Sequence, residues 1–166
     1  SRPAEELEGS VRVELGNYDL LRTRARISGP LVADSLYGKV SVFTDDRDGF
    51  EENIVPGSHD ALGEDQKGMR GELRFTPTDQ LDMSLRWDWA ESERNAIAWG
   101  VDENDPSGNG HEPHVIAQDD TAENRTIKGA SFTVDYSLSN GYDLTSISAL
   151  RELEISIAGD LDSMAA

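Results

Sequence analysis

The chain has 166 residues, no cysteine and a net charge of -18, with 36% hydrophobic and 7% aromatic residues. This acidic balance excludes nucleic acid as a partner, because phosphate binding needs a basic footprint, and the missing cysteines exclude disulfides and thiolate metal sites. No apolar run approaches the ~20 residues of a membrane helix, but strands that cross a bilayer alternate and escape a hydropathy scan.

Residues 1–8 are polar, begin on Ser1 and lack an apolar leader, so they read as a linker in a processed or excised chain. A first strand is expected over 9–15, where Val11, Val13 and Leu15 alternate with Arg12 and Glu14. Gly16 and Asn17 open a tight turn and are the residues expected to tolerate positive φ there. A second strand follows over 20–28, with Leu21, Thr23, Ala25 and Ile27 against Arg22, Arg24 and Arg26. Pro30 is expected to end it, since proline cannot donate to a ladder. The third strand, 36–44, puts Leu36, Val40 and Val42 on one face, and Phe43 breaks the pattern.

An acidic, glycine-containing loop covers 45–66. The fourth strand, 67–76, alternates Met69, Leu73 and Phe75 with Arg70, Glu72 and Arg74. After a short turn, the fifth strand, 81–90, has the clearest alternation. Leu81, Met83, Leu85, Trp87 and Trp89 share one face, and Asp82, Ser84, Arg86 and Asp88 the other. A long loop over 91–125 precedes the sixth strand at 126–138 and the seventh at 142–153; residues 154–166 have no assignment. Loops this long inside a domain are usually functional. The connections also alternate in length. Every even-numbered one is short, and the odd-numbered ones grow, as in barrels with short turns at one end and long loops at the other. The fold class is therefore all-β, an antiparallel meander of about seven strands; loop asymmetry and strand length match part of a transmembrane β-barrel, while periodicity alone does not separate that from a soluble sandwich.

Several motifs in this order resemble TonB-dependent outer-membrane receptors. Gly9-x-Val11-x-Val13-x-x-Gly16-Asn17-Tyr18-Asp19, then an arginine-bearing strand and Ser28-Gly29-Pro30-Leu31, resembles the start of the family's barrel. Asp46-Arg47-Asp48-Gly49-Phe50-x-x-Asn53 resembles the entry into its second external loop. Arg70-Gly71-x-Leu73-x-Phe75-x-Pro77-Thr78-Asp79-x-Leu81 resembles the next strand, turn and strand, and Leu144-Thr145-Ser146-Ile147-Ser148-Ala149-Leu150-Arg151 a later one. The resemblance spans residues 9–153 and implies a linker (1–8) leaving a plug that this sequence does not contain. Such barrels have about 22 strands, so about seven strands would supply the first third. The implied role is uptake of an iron-siderophore or similar nutrient across the bacterial outer membrane. The implied partners are TonB acting through the plug, the small ligand, and outer-membrane lipid. A second reading from the residues is a soluble secreted β-protein that binds carbohydrate or a cation through its acidic loops.

Three loop residues are the candidate ligand contacts: Trp99, His111 and His114. His111 and His114 are no metal pair, since Pro113 opposes a regular helix between them and no third ligand is evident. Asp46-x-Asp48-Gly49 faintly echoes a calcium loop but lacks its closing glutamate, so it reads as solvated carboxylates, as does 102–105. Trp87 and Trp89 extend the apolar face toward the long loops, where barrels carry aromatic girdles. The arginines of the polar face read as partners for Glu14, Glu72, Asp82 and Asp88 across strands, on a wall that faces the plug. No nucleophile elbow, P-loop or dinucleotide fingerprint occurs, so the sequence reads as no enzyme and implies no cofactor.

Overall fold

A computed structural model describes residues 3–53, 56–57, 59–95, 115–116 and 122–158. Among these, seven strands form one sheet: β1 (Glu8–Leu15), β2 (Leu21–Val32), β3 (Leu36–Arg47), β5 (Glu64–Thr78), β6 (Leu81–Asn95), β8 (Ala122–Ser137) and β9 (Asp143–Ala158). Two more, β4 (Glu52–Asn53) and β7 (Val115–Ile116), form a small parallel pair. The sheet order is β1-β2-β3-β5-β6-β8-β9, a pure antiparallel meander. No helix among the described residues is long and apolar enough to cross a membrane, which says nothing of strands.

Register carries each apolar set onto one continuous face. Ile27, Val40, Gly71, Trp87, Ala130 and Leu150 are successive partners across the sheet. The next row holds Leu73, Leu85 and Phe132, and the one after it Leu36, Phe75, Met83 and Val134. Paired residues of antiparallel strands point to the same side, so these rows form a band. Its upper limit is the row of Val42, Met69 and Trp89, because the following row is Thr44, Lys67, Glu91, Thr126 and Glu154. The lower limit is Leu81, Tyr136 and Leu144.

Nothing among the described residues covers this band. Val11 is 74% exposed, Ile27 57%, Leu85 41% and Leu150 81%, and the only buried hydrophobic side chain described is Ala61. A soluble sandwich requires these residues to pack on a second sheet, usually with Greek-key crossings. Neither feature occurs among the described residues, where strand order and the open band follow the barrel expectation instead.

The strands outrun the ranges expected from alternation. β2 continues through Pro30 to Val32, and the register shifts between Pro30 and Val32. Such an irregularity accommodates the missing donor, so proline bends this strand's ladder and does not end it. β5, β6 and β8 extend past the apolar band into stretches that are polar on both sides. β9 runs to Ala158, so 154–158 of the unassigned stretch are strand, and 159–166 lie outside the described residues. The first turn also differs from expectation. Positive φ falls on Tyr18 (59°) and Asp19 (50°), not on Gly16 or Asn17. Two consecutive left-handed residues between Asn17 and Leu20 make a primed turn, with the Leu20 amide donating to the Asn17 carbonyl at 3.4 Å.

Phe43 falls out of pattern because it lies across Gly68. A Cβ added there would sit 2.6 Å from the Phe43 ring. On the opposite face the Trp87 ring occupies the space beside its cross-strand partner Gly71. Both rings cover a glycine backbone that would otherwise be bare.

Candidate functional site

The long connections all emerge at one end of the sheet. There β1–β2 turns at 16–20, β3 leads through β4 to β5, and β6 leads through β7 to β8. The first two connections are knit together. The Asp48 amide donates to the Tyr18 carbonyl at 2.9 Å, and the Tyr18 and Phe50 rings meet at 6.0 Å. That packing holds Tyr18 in its left-handed conformation, which costs an L-residue roughly 1–2 kcal/mol. Arg47 stacks over Phe50 at 5.1 Å and donates to the Leu62 carbonyl at 2.9 Å. The Asn53 backbone amide donates to Asp60 Oδ1 at 3.1 Å. The Asn95 amide at the tip of β6 donates to the Gly63 carbonyl at 3.1 Å. β4 and β7 then join the second connection to the third through Glu52↔Val115 and Asn53↔Ile116. Sequence reasoning missed this bridge, since two-residue strands leave no periodicity to read.

The loops enclose an open crevice of about 490 Å³ lined by Asp46, Asp48, Asp60, Glu64, Asp65 and Glu93, with Arg47 and Asn95 at its side. Of its carboxylates, Asp60 accepts from the Asn53 amide and Glu64 pairs with Arg94. Among the described residues no group of histidine and carboxylate side chains has metal-holding geometry. The three candidate contacts, Trp99, His111 and His114, lie outside the described residues, as does the acidic run 102–105.

The second element of the site is the charged face of the sheet. Here the expected ion pairs form. Arg74 grips Asp82 with both ends of its fork, Nε to Oδ2 at 3.0 Å and Nη2 to Oδ2 at 2.8 Å. Arg86 meets Glu72 across strands at 2.9 Å, whereas Arg12 meets Glu14 at 2.6 Å within β1 and not across strands. Arg22 pairs with both Asp45 (2.6 Å) and Glu14 (3.2 Å). Arg151 reaches across from β9 to Asp88 on β6 at 3.1 Å, over Gly129, where a Cβ would meet the Asp88 carboxylate at 2.9 Å. Each such half-exposed pair contributes at most about 1 kcal/mol.

At the end of the short turns, residues 3–7 lie along β2. The Ala4 amide donates to Ser28 Oγ at 2.8 Å, Ser28 is buried, and Leu7 packs against Gly29.

No family model matches this sequence, and no curated protein matches it. Solved structures do. The ferric yersiniabactin uptake receptor FyuA from Yersinia pestis superposes with a TM-score of 0.78 at 21% identity, over 95% of this chain and 24% of FyuA. FpvA of P. aeruginosa, bound to a heterologous pyoverdine and iron, superposes with a TM-score of 0.71 at 16% identity, over 86% of this chain and 19% of FpvA. The complex of FpvAI with pyocin S2 gives 0.73 at 15% identity over 91% of this chain. The chain spans about a quarter of FyuA and about a fifth of FpvA. Meander order, uncovered apolar band and loop asymmetry agree with this likeness: the chain has the fold of the barrel wall of TonB-dependent receptors, seven consecutive strands of it.

Proposed function

We propose that this chain is the first third of the barrel of a TonB-dependent receptor that takes up an iron-siderophore or similar scarce nutrient across the bacterial outer membrane. One observation carries the reading: a continuous apolar band on a pure meander, covered by nothing among the described residues. In this reading lipid covers the band, and the rows bearing Trp87 and Trp89 form its external girdle. The charged face lines the lumen and meets the plug, on which TonB acts. Residues 1–8 lead from that plug into β1. The knitted loops form part of the outer vestibule, and Trp99, His111 and His114 in the third loop contact the ligand.

The test is made on cells that express the protein carrying this segment. It is expected in the outer-membrane fraction, with a gel mobility that changes on boiling. Disrupting its gene is expected to abolish growth on one ferric siderophore when siderophores are supplied singly under iron limitation. A protein that stays in the soluble fraction overturns the proposal.

A further inference from the structure

β1 is shorter than the strand it pairs with. Its outermost pair is Glu8↔Ser28, and Gly29–Val32 of β2 run on with no strand beside them on that edge among the described residues. An open edge of this kind needs a cover. Residues 3–7 supply it. The Ala4 amide donates to Ser28 Oγ at 2.8 Å, and Ser28 is only 2% exposed. Ser28 belongs to the charged face, in one row with Lys39, Glu72 and Arg86. Pro3 is buried as well. Glu5 attracts the Arg74 guanidinium, which Asp82 holds and which lies 5.9 Å over the Tyr37 ring. Leu7 lies on the other side of the sheet. A Cβ at Gly29 would stand 2.9 Å from the Leu7 Cα, and alternation directs that Cβ to the apolar face. There Leu7 borders a shallow hollow with Ile27, Val40, Leu73 and Trp87.

The segment therefore crosses the edge of β2, with Ala4 on the charged face and Leu7 on the apolar one. Both contacts need a small residue below them, a short hydroxyl at Ser28 and no side chain at Gly29. The placement has a mechanical consequence. A pull that entered the sheet at Glu8 would open the β1–β2 ladder from its end, one pair at a time, and β1 has eight residues and a neighbour on one side only. Ala4 and Glu5 instead engage β2 and β5, which are paired on both sides. A pull that meets Ala4 first is spread over these inner strands.

We infer that residues 3–7 are a clasp that stays on β2 and passes any pull on the preceding chain into the inner strands, so that β1 is not peeled from its ladder. The inference rests on the receptor reading, in which the chain ahead of this segment is a plug on which TonB acts.

Two measurements on the purified protein carrying this segment, free of other cysteines, test the clasp. In the first, Ser28→Cys is labelled with a maleimide in detergent. It is expected to react about tenfold more slowly than Ser28→Cys/Gly29→Val, whose valine displaces Leu7 and with it the cover, a difference on the scale of one hydrogen bond. Equal rates overturn the inference. In the second, the protein in a supported bilayer is pulled through a thiol handle at Arg2→Cys by force microscopy. Gly29→Val is expected to release the length of β1 at a force that the wild-type clasp withstands. The disulfide-closed pair Ala4→Cys/Ser28→Cys is expected to withstand a higher force still; the 2.8 Å contact keeps the two Cα atoms within the ~7 Å that a disulfide spans. Release of β1 at one common force in all three proteins overturns the inference. If Gly29→Val fails to give the folded gel band, Gly29→Ala carries both measurements, because its Cβ alone is too close to Leu7. Neither measurement depends on uptake. A protein found in the outer membrane that fails them loses the clasp and keeps the receptor reading, whereas one found in the soluble fraction loses the receptor reading whatever its labelling rate.

Discussion

The apolar band can be tested with a single charge. Leu85 lies in the middle row of the band, midway along β6 between Leu81 at one limit and Trp89 at the other. From Leu81 to Trp89 the strand climbs about 26 Å at ~3.3 Å per residue. With the usual 35–45° tilt that is roughly 20 Å of depth, which places Leu85 about 10 Å from either limit. If lipid covers the band, Leu85→Arg should cost about 2–4 kcal/mol, whereas Thr126→Arg, on the same face but in the polar row above, should cost about 0–1 kcal/mol. If water covers it, Leu85 is simply an exposed leucine at 41% accessibility, and its replacement should stay within about 0.5 kcal/mol. The assay is reversible urea unfolding of the protein in lipid vesicles, followed by tryptophan fluorescence, with the folded fraction checked by gel mobility. Equal midpoints for Leu85→Arg and Thr126→Arg would refute the membrane assignment of this face.

Two further outcomes follow from local packing. Gly71→Val places branched carbons where the Trp87 ring lies, so the indole must swing off the sheet; a loss of roughly 1–3 kcal/mol is expected, read in the same unfolding assay together with a red shift of Trp87 emission, and an unshifted spectrum would contradict the packing. Arg47→Ala removes both the stack on Phe50 and the bond to the Leu62 carbonyl, so limited proteolysis should cut within 48–63 several-fold faster while the unfolding midpoint moves by less than about 1 kcal/mol; unchanged cleavage would mean that the loop is held by other contacts.

The strands were legible where one face is apolar and the other is not. Residues 81–90 show it best, and their partners across the sheet follow the same period. The readings stop short at 91–95, 64–66 and 122–125 because both faces are polar there, yet backbone pairing continues regardless of side-chain pattern. β9 was cut short for a different reason. Its alternation inverts: Leu144 and Leu150 lie on the apolar face, but Leu153, Ile155 and Ile157 share the other face with Arg125 and Glu123. A pattern that switches sides reads as no pattern. Pro30 misled because a register shift absorbs its missing donor, and Gly16 and Asn17 misled because contacts from Phe50 and Asp48 hold Tyr18 in the left-handed region instead. In the candidate site, the cross-strand ion pairs of Arg74 and Arg86 were legible from charge alternation. The capture of Asp88 by Arg151 was not, since Asp88 lies opposite Arg70 in the register and the competing arginine reaches it from two strands away over Gly129.

The same register explains why this fold needs two environments. Burial of apolar area, at about 25 cal/mol per Å², is the main favourable term of a water-soluble fold. Among the described residues it is almost absent, with Ala61 as the only buried hydrophobic side chain. β1 and β9 each have a neighbour on one side only, which leaves two rows of backbone donors and acceptors open. Ion pairs on the charged face contribute too little to offset the ordering of seven long strands. The wall is therefore stabilised from outside itself. In the proposed receptor, lipid on the apolar band would remove those side chains from water, further strands would satisfy the two edges, and a filled lumen would engage the arginine rows. Each of the three acts on a different set of residues, so Leu85→Arg, an edge substitution and Arg24→Gln should be additive in stability to within ~0.5 kcal/mol. Strong coupling between Leu85 and Arg24 would mean that the two faces share one environment, and the barrel reading would fail.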